Sequence, residues 1–216
     1  MKIRYLAHSA FVIETKAGVK IITDPYKPNS YDGAVGYKRI DELADVVTVT
    51  HFHDDHNAVN TIKNNPVVVD KPGEYEVKGV KIKGVKTYHD PKQGEERGDN
   101  TVYVYEIEGK KVCHLGDLGE VIDDEKAKEI GEVDILLIPV GGYFTIDAKE
   151  ADRVIEKLNP KIVIPMHFKT EFLGFPIASV DEFLQNKTNY EKVDSYEIEI
   201  EDLPSERKVI VLKHKL

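Results

Sequence analysis

The segment Thr50-His51-Phe52-His53-Asp54-Asp55-His56 directly follows the apolar run Val46–Val49. Three imidazoles and a carboxylate packed into so few positions are costly to bury without a cation. Left in solvent, they would need no particular order. The segment therefore reads as the C-terminal end of a strand and the loop beyond it. A fold that accepts it must bring further ligands to the same place. The bland alternative is a polar loop rich in histidine by accident, but the chain has 8 histidines and three of them fall here. Imidazole and carboxylate together suit zinc, with manganese or iron as alternatives.

Other candidate ligands also stand at strand ends. His89 follows the run Val80–Tyr88, Asp117 follows Lys110–Leu115, and His167 follows Lys161–Met166. Loops at one edge of layered sheets converge, so four such loops can supply one site. The remaining pattern suits that architecture. Ile3–Ala7, Phe11–Glu14, Val19–Thr23, Val67–Asp70, Glu74–Val77 and Thr101–Glu106 are further short β-branched or aromatic runs, with Gly79 and Gly109 where hairpin turns belong.

Helices enter later, at Asp124–Ile130 with Gly131 to close it, at Ala148–Leu158, and at Val180–Leu184. In the second, Ala148, Ala151, Val154, Ile155 and Leu158 recur at helical spacing, and Asp147 with Glu150 forms a capping box. Strands Asp134–Pro139 and Lys161–Met166 flank it, which predicts a parallel pair near a sheet centre. Strands Tyr196–Ile200 and Lys208–Leu212 close the chain. The expected fold class is α+β or α/β, stacked sheets covered by helices, in one domain over residues 1–216.

Composition excludes several function classes. The longest apolar stretch, Ile135–Val140, falls far short of the ~20 residues of a membrane-spanning helix. The N-terminus reads directly as a strand, without a signal-peptide block. The single cysteine, Cys113, suits a reducing compartment, so a cytoplasmic location is expected. A net charge of −9 and no dense run of Lys/Arg speak against nucleic acid as the main partner. A small-molecule substrate is expected instead. Self-association into a homo-oligomer is compatible with an acidic enzyme of this size.

The motif His51-Phe52-His53-Asp54-Asp55-His56 resembles the His-x-His-x-Asp-His signature of the metallo-β-lactamase superfamily. His89, Gly116-Asp117 and His167 fall in that superfamily's order. Pro139-Val140-Gly141-Gly142 and Ile164-Pro165-Met166-His167 resemble the branch that includes ascorbate-6-phosphate lactonase-like hydrolases. The resemblance implies an αββα four-layer sandwich of two mixed sheets flanked by helices. It implies two divalent ions, zinc before manganese or iron. His51, His53 and His89 would hold one ion, and Asp55, His56 and His167 the other, with Asp117 bridging. A hydroxide bridging the two ions would attack a small anionic ester, lactone or phosphodiester. Asp55 would be the catalytic residue, orienting the hydroxide and passing a proton to the leaving group. Flavodiiron oxidoreductases carry glutamate where this chain has His53, which disfavours redox chemistry. Many true β-lactamases carry cysteine at the position of Asp117, which disfavours antibiotic hydrolysis. The competing functions are a metallo-nuclease and a non-catalytic metal-dependent sensor.

Several nearby residues have two readings. Asp24 either orients a ligand histidine or makes an Asx-turn before Pro25. His8 is a pocket wall or a satisfied structural histidine. His114 is left out of the ligand set by strand alternation. Arg97 and Asn100, in the polar loop Asp90–Asn100, contact substrate or are solvated, with the solvated loop preferred. Tyr143, Phe144 and Thr145 line a pocket if Gly141 and Gly142 let the backbone approach.

Overall fold

A computed structural model describes all of residues 1–216. Its first strands are β1 (Lys2–Ala7), β2 (Ala10–Glu14), β3 (Lys20–Thr23), β4 (Val46–Thr48) and β5 (Val67–Val69). Next come β6 (Gly73–Val77), β7 (Val80–Tyr88), β8 (Asp99–Ile107) and β9 (Lys110–His114), then helix α1 (Asp124–Ile130). Strand β10 (Ile135–Pro139), helix α2 (Ala148–Leu158), β11 (Ile162–Met166) and helix α3 (Val180–Leu184) follow. The chain ends with β12 (Tyr190–Lys192), β13 (Glu197–Glu199) and β14 (Lys208–Val211).

Two mixed sheets form an α+β sandwich. One has 6 strands in the order β13-β1-β2-β3-β4-β5, the other 8 in the order β12-β14-β11-β10-β9-β8-β7-β6. Side chains alternate between the faces of the smaller sheet, as the two-residue strand period requires. Phe11, Ile13, Ile21 and Val46 join the main core shared with the larger sheet. Their neighbours Val12, Ile22 and Val47 join a second core with Tyr26, Val35, Tyr37 and Ile40. Helix covers the larger sheet on its outside. Over the smaller sheet the cover is irregular chain from Pro25 onward, with a short 3-10 turn at Val59–Thr61.

Helix α2 joins the parallel neighbours β10 and β11. Asp147 accepts from the amides of Lys149 and Glu150, and Glu150 accepts from the Asp147 amide, which completes the predicted capping box. Val154, Ile155 and Leu158 are buried, each contributing about 1.5–3 kcal/mol. The hairpins β6–β7 and β8–β9 turn through Lys78-Gly79 and Glu108-Gly109, both residues of each pair at positive φ. No helix is long and apolar enough to cross a membrane.

Strand direction then places the ligand-bearing loops. Strands β1 and β3 each run antiparallel to β2, and β4 lies parallel to β3, so these three end at one edge. In the larger sheet β7, β9, β10 and β11 share one direction. The sheets are tied beneath that edge. The Tyr105 hydroxyl and Thr48 Oγ1 are 2.7 Å apart, the Tyr103 hydroxyl donates to the carbonyls of Val49 and Val69, and the Thr101 amide donates to the Thr50 carbonyl.

Candidate metal centre

Six strand ends deliver the cluster. His8 follows β1, Asp24 follows β3, and the run His51–His56 begins just beyond β4. His89, Asp117 and His167 stand beyond β7, β9 and β11. Three of these residues, His8, Asp24 and His167, adopt positive φ (56°, 39° and 49°). Left-handed backbone at non-glycine residues is uncommon and clusters where surrounding structure overrides local preference.

Asp117 Oδ2 is the geometric centre. It lies 3.8 Å from His51 Nε2, 3.2 Å from His56 Nε2, 3.4 Å from His89 Nε2 and 3.3 Å from His167 Nε2. Ligand atoms of His51, His53 and His89 come together as one group able to hold a metal ion, and those of His8, Asp55, His56 and His167 as another. All seven residues expected from the sequence thus meet at one place. His51 Nε2, His56 Nε2 and Asp117 Oδ1 are buried with no hydrogen-bond partner in the protein. Each such orphan costs about 1–3 kcal/mol unless something else satisfies it. Inward-facing imidazole nitrogens and carboxylate oxygens are the donor set that a divalent transition metal takes. The residues present fit a bound divalent metal.

Asp24 settles the tautomers. Its Oδ2 accepts from the Thr50 hydroxyl at 2.7 Å and lies 2.9 Å from His56 Nδ1. Thr50 Oγ1 in turn lies 3.0 Å from His51 Nδ1. With its own proton given to Asp24, that hydroxyl accepts from His51. Both imidazoles then carry hydrogen on Nδ1 and turn the Nε2 lone pair inward, the arrangement that metal-binding histidines need. The Asx-turn reading of Asp24 is thereby insufficient.

Close backbone approach also shapes the site. Gly116 has φ +57°, and a Cβ there would stand 2.5 Å from Asn100 Oδ1 and 2.6 Å from Thr50. Asn100 Oδ1 accepts from the Asp117 amide, and its Nδ2 donates to the Leu115 carbonyl. Asn100 is therefore a buried brace for the Asp117 turn and not a solvated loop residue.

Burial and the mutual influence of imidazoles and carboxylates set the electrostatics of the cluster. Burial holds His89 down to about 4, and burial with neighbouring His167 does the same to His8. Burial, then His56, pushes His51 well below its ordinary value. For His56 burial acts downward, but Asp117 and Asp55 outweigh it and raise it well above. Burial raises Asp55 and Asp117, yet the surrounding imidazoles hold both well below the usual carboxylate range.

His8 is the residue that sequence reasoning undervalued. It is fully buried, with Nε2 3.0 Å from Asp55 Oδ2, and its carbonyl accepts from the His167 amide. The available signal was its place directly after a strand, shared with His89 and His167. His114 lies outside the cluster as expected, with Nε2 2.8 Å from the Ser9 carbonyl. Arg97, read as solvated, instead lines the cleft over the cluster. That cleft is about 350 Å³, with Tyr31, Phe144 and Phe175 as further walls. Tyr143 is exposed and is not among the cleft walls. A larger groove of about 620 Å³ between β6–β8 and α1 is walled largely by lysine and glutamate and has no histidine in its lining.

Comparison with known proteins agrees with this geometry. A family model described as the beta-lactamase superfamily domain matches residues 2–167. A UPF0173 metal-dependent hydrolase of Thermococcus onnurineus is 33% identical over 195 residues, covering 79% of this chain and 85% of the relative. A crystal structure from Thermotoga maritima, described as that of a proposed Zn-dependent hydrolase of the metallo-beta-lactamase superfamily, superposes with TM-score 0.83. It is 44% identical and covers 99% of each chain. Human tRNase Z, short form, is 13% identical with TM-score 0.57 over 80% of this chain and 94% of its own, a likeness of fold alone.

Proposed function

The chain belongs to the metallo-beta-lactamase superfamily, and from that premise we propose that it is a binuclear, zinc-dependent hydrolase of small anionic esters, lactones or phosphodiesters. The observation that carries the reading is Asp117 Oδ2 ringed by four imidazole nitrogens between two groups able to hold a metal. His51, His53 and His89 would hold one ion, and Asp55, His56 and His167 the other, with Asp117 available to both. Two such ions, when bound, bring hydroxide within reach of neutral pH and stabilise the charge that develops on the substrate oxygen.

The chain's own residues supply the rest. Asp24, with Thr50, keeps His51 and His56 in one tautomer and orientation. His8 and Tyr31 hold Asp55 from two sides, at 3.0 Å on Oδ2 and 3.2 Å on Oδ1. Tyr31 stays protonated, because burial and then Asp55 push its phenol far up, so it donates to Asp55. Asp55, at the cleft wall, is assigned to orient the nucleophile and pass its proton to the leaving oxygen. Asp55 and Asp117 are the carboxylates that line the cleft, so two divalent cations would outweigh them there and favour an anionic substrate. The cleft, about 350 Å³, is at the small end of ligand pockets.

The test is turnover by the chelator-stripped chain with metal restored. Zinc, manganese or iron(II) is expected to restore cleavage of 4-nitrophenyl esters or bis(4-nitrophenyl) phosphate at least about a hundredfold over the stripped chain. A rate that ignores stripping and reloading contradicts the reading, and binding without turnover returns the protein to the sensor class.

A further inference from the structure

Asp90 follows the candidate ligand His89 directly, is fully buried, and contacts no metal group. Its Oδ1 accepts from the amides of Lys92 and Gly94 at 2.8 and 3.0 Å. Its Oδ2 accepts from those of Glu96 and Arg97 at 3.0 and 2.7 Å. Burial raises its carboxyl, but these four amide bonds outweigh burial and leave it below the usual range. The loop is closed at its base, where the His89 amide donates to the Gly98 carbonyl. One side chain thus converts a polar surface loop into a clasp whose foot is a site residue.

Arg97 is what the clasp holds in place. Its guanidinium stands over the Phe144 ring, 5.8 Å from the centroid, and Phe144 packs edge-on against Phe175. All three line the cleft that contains His53, His89 and Asp117. Its only carboxylate neighbour is Glu96 at 3.6 Å, too far for a hydrogen bond and itself partly exposed. The planar fork, with five N–H donors, is therefore free to take a carboxylate or phosphate. A solvated arginine would need neither a buried carboxylate gripping its own amide nor an aromatic face beneath it.

We propose that Arg97, held by Asp90, forms an anion subsite separate from the metal pair. The substrate is then an ester or phosphodiester bearing a second, non-reacting carboxylate or phosphate, with its apolar part against Phe144 and Phe175. This rests on the hydrolase reading, and the test separates the two. Binding of butyrate, succinate and 3-phosphonopropionate to the metal-loaded protein is measured by calorimetry. In parallel, kcat/KM is compared for 4-nitrophenyl butyrate and mono-4-nitrophenyl succinate, which differ by a methyl against a carboxylate.

At least one dianion is expected to bind about tenfold more tightly than butyrate, and the charged ester to be preferred by a similar factor. Which dianion gains more identifies the favoured anion. Arg97→Met brings both ratios to about one, and Arg97→Lys keeps part of them. Asp90→Asn, with one oxygen left to accept, lowers the dianion-to-butyrate ratio, whereas a general loosening of the site would weaken all ligands alike. Equal binding of mono- and dianions, or a preference that survives Arg97→Met, overturns the subsite while leaving the hydrolase reading intact. An Arg97-dependent preference without any turnover keeps the subsite and removes the hydrolase.

Discussion

Asp117→Ala is expected to lower the metal content of the chain from the proposed two ions to one or none and to reduce hydrolysis at least about a thousandfold. The shared carboxylate contributes negative charge to both groups of ligands, because its Oδ2 lies within 3.8 Å of four imidazole nitrogens. Losing it removes several kcal/mol of charge stabilisation, and about 1.4 kcal/mol is a factor of ten. The turn itself should survive, since Asn100 holds the residue 117 amide and the Leu115 carbonyl. Circular dichroism and thermal melting of the metal-free variant separate loss of metal from loss of fold. Two ions retained in a folded variant would show that Asp117 bridges nothing.

The metal-free protein is expected to unfold in mild acid. His8 and His89 are held down to about 4 by burial, against about 6.5 in an unfolded chain. Between those values the unfolded state binds protons that the folded state refuses, so stability falls as pH falls. Each of the two contributes up to about 1.4 kcal/mol per pH unit. His51 and His114, also lowered by burial, act in the same direction. His56 is raised, so its contribution is complete below about 6.5 and is lost only as pH rises through its folded value. Against a total stability of about 5–15 kcal/mol, urea midpoints of the metal-free chain should drop steeply from pH 6.5 to 4.5. A flat profile would mean that these imidazoles are protonated in the folded protein.

Much of this centre is legible in the sequence because its ligands obey one rule, a polar residue at the end of an apolar strand. His51, His89, Asp117 and His167 announce themselves in that way, and direction within the sheets makes them meet. Helix α2 was equally readable, since its apolar stripe, cap and following Pro160 all agree. His8 obeys the same rule but stands alone, without a neighbouring histidine to raise its value. From the sequence Arg97 reads as a substrate contact ranked below solvation, for a different reason. The amide grip of Asp90 on its loop is a tertiary arrangement of backbone donors, which composition reads only as polarity. Strand β12, Tyr190–Lys192, went unread because all three residues are exposed and show no alternation. The cover over the smaller sheet has neither helical nor strand period, so Tyr31 could not be placed at the cleft from sequence.

The proposed ligands, brought from four strand ends, would form one two-metal centre. Elemental analysis of the purified chain after reconstitution at neutral pH, beside His53→Ala, tests it most directly. About two transition-metal ions per chain are expected, and fewer in the variant. No bound metal in the folded, reconstituted protein would contradict it.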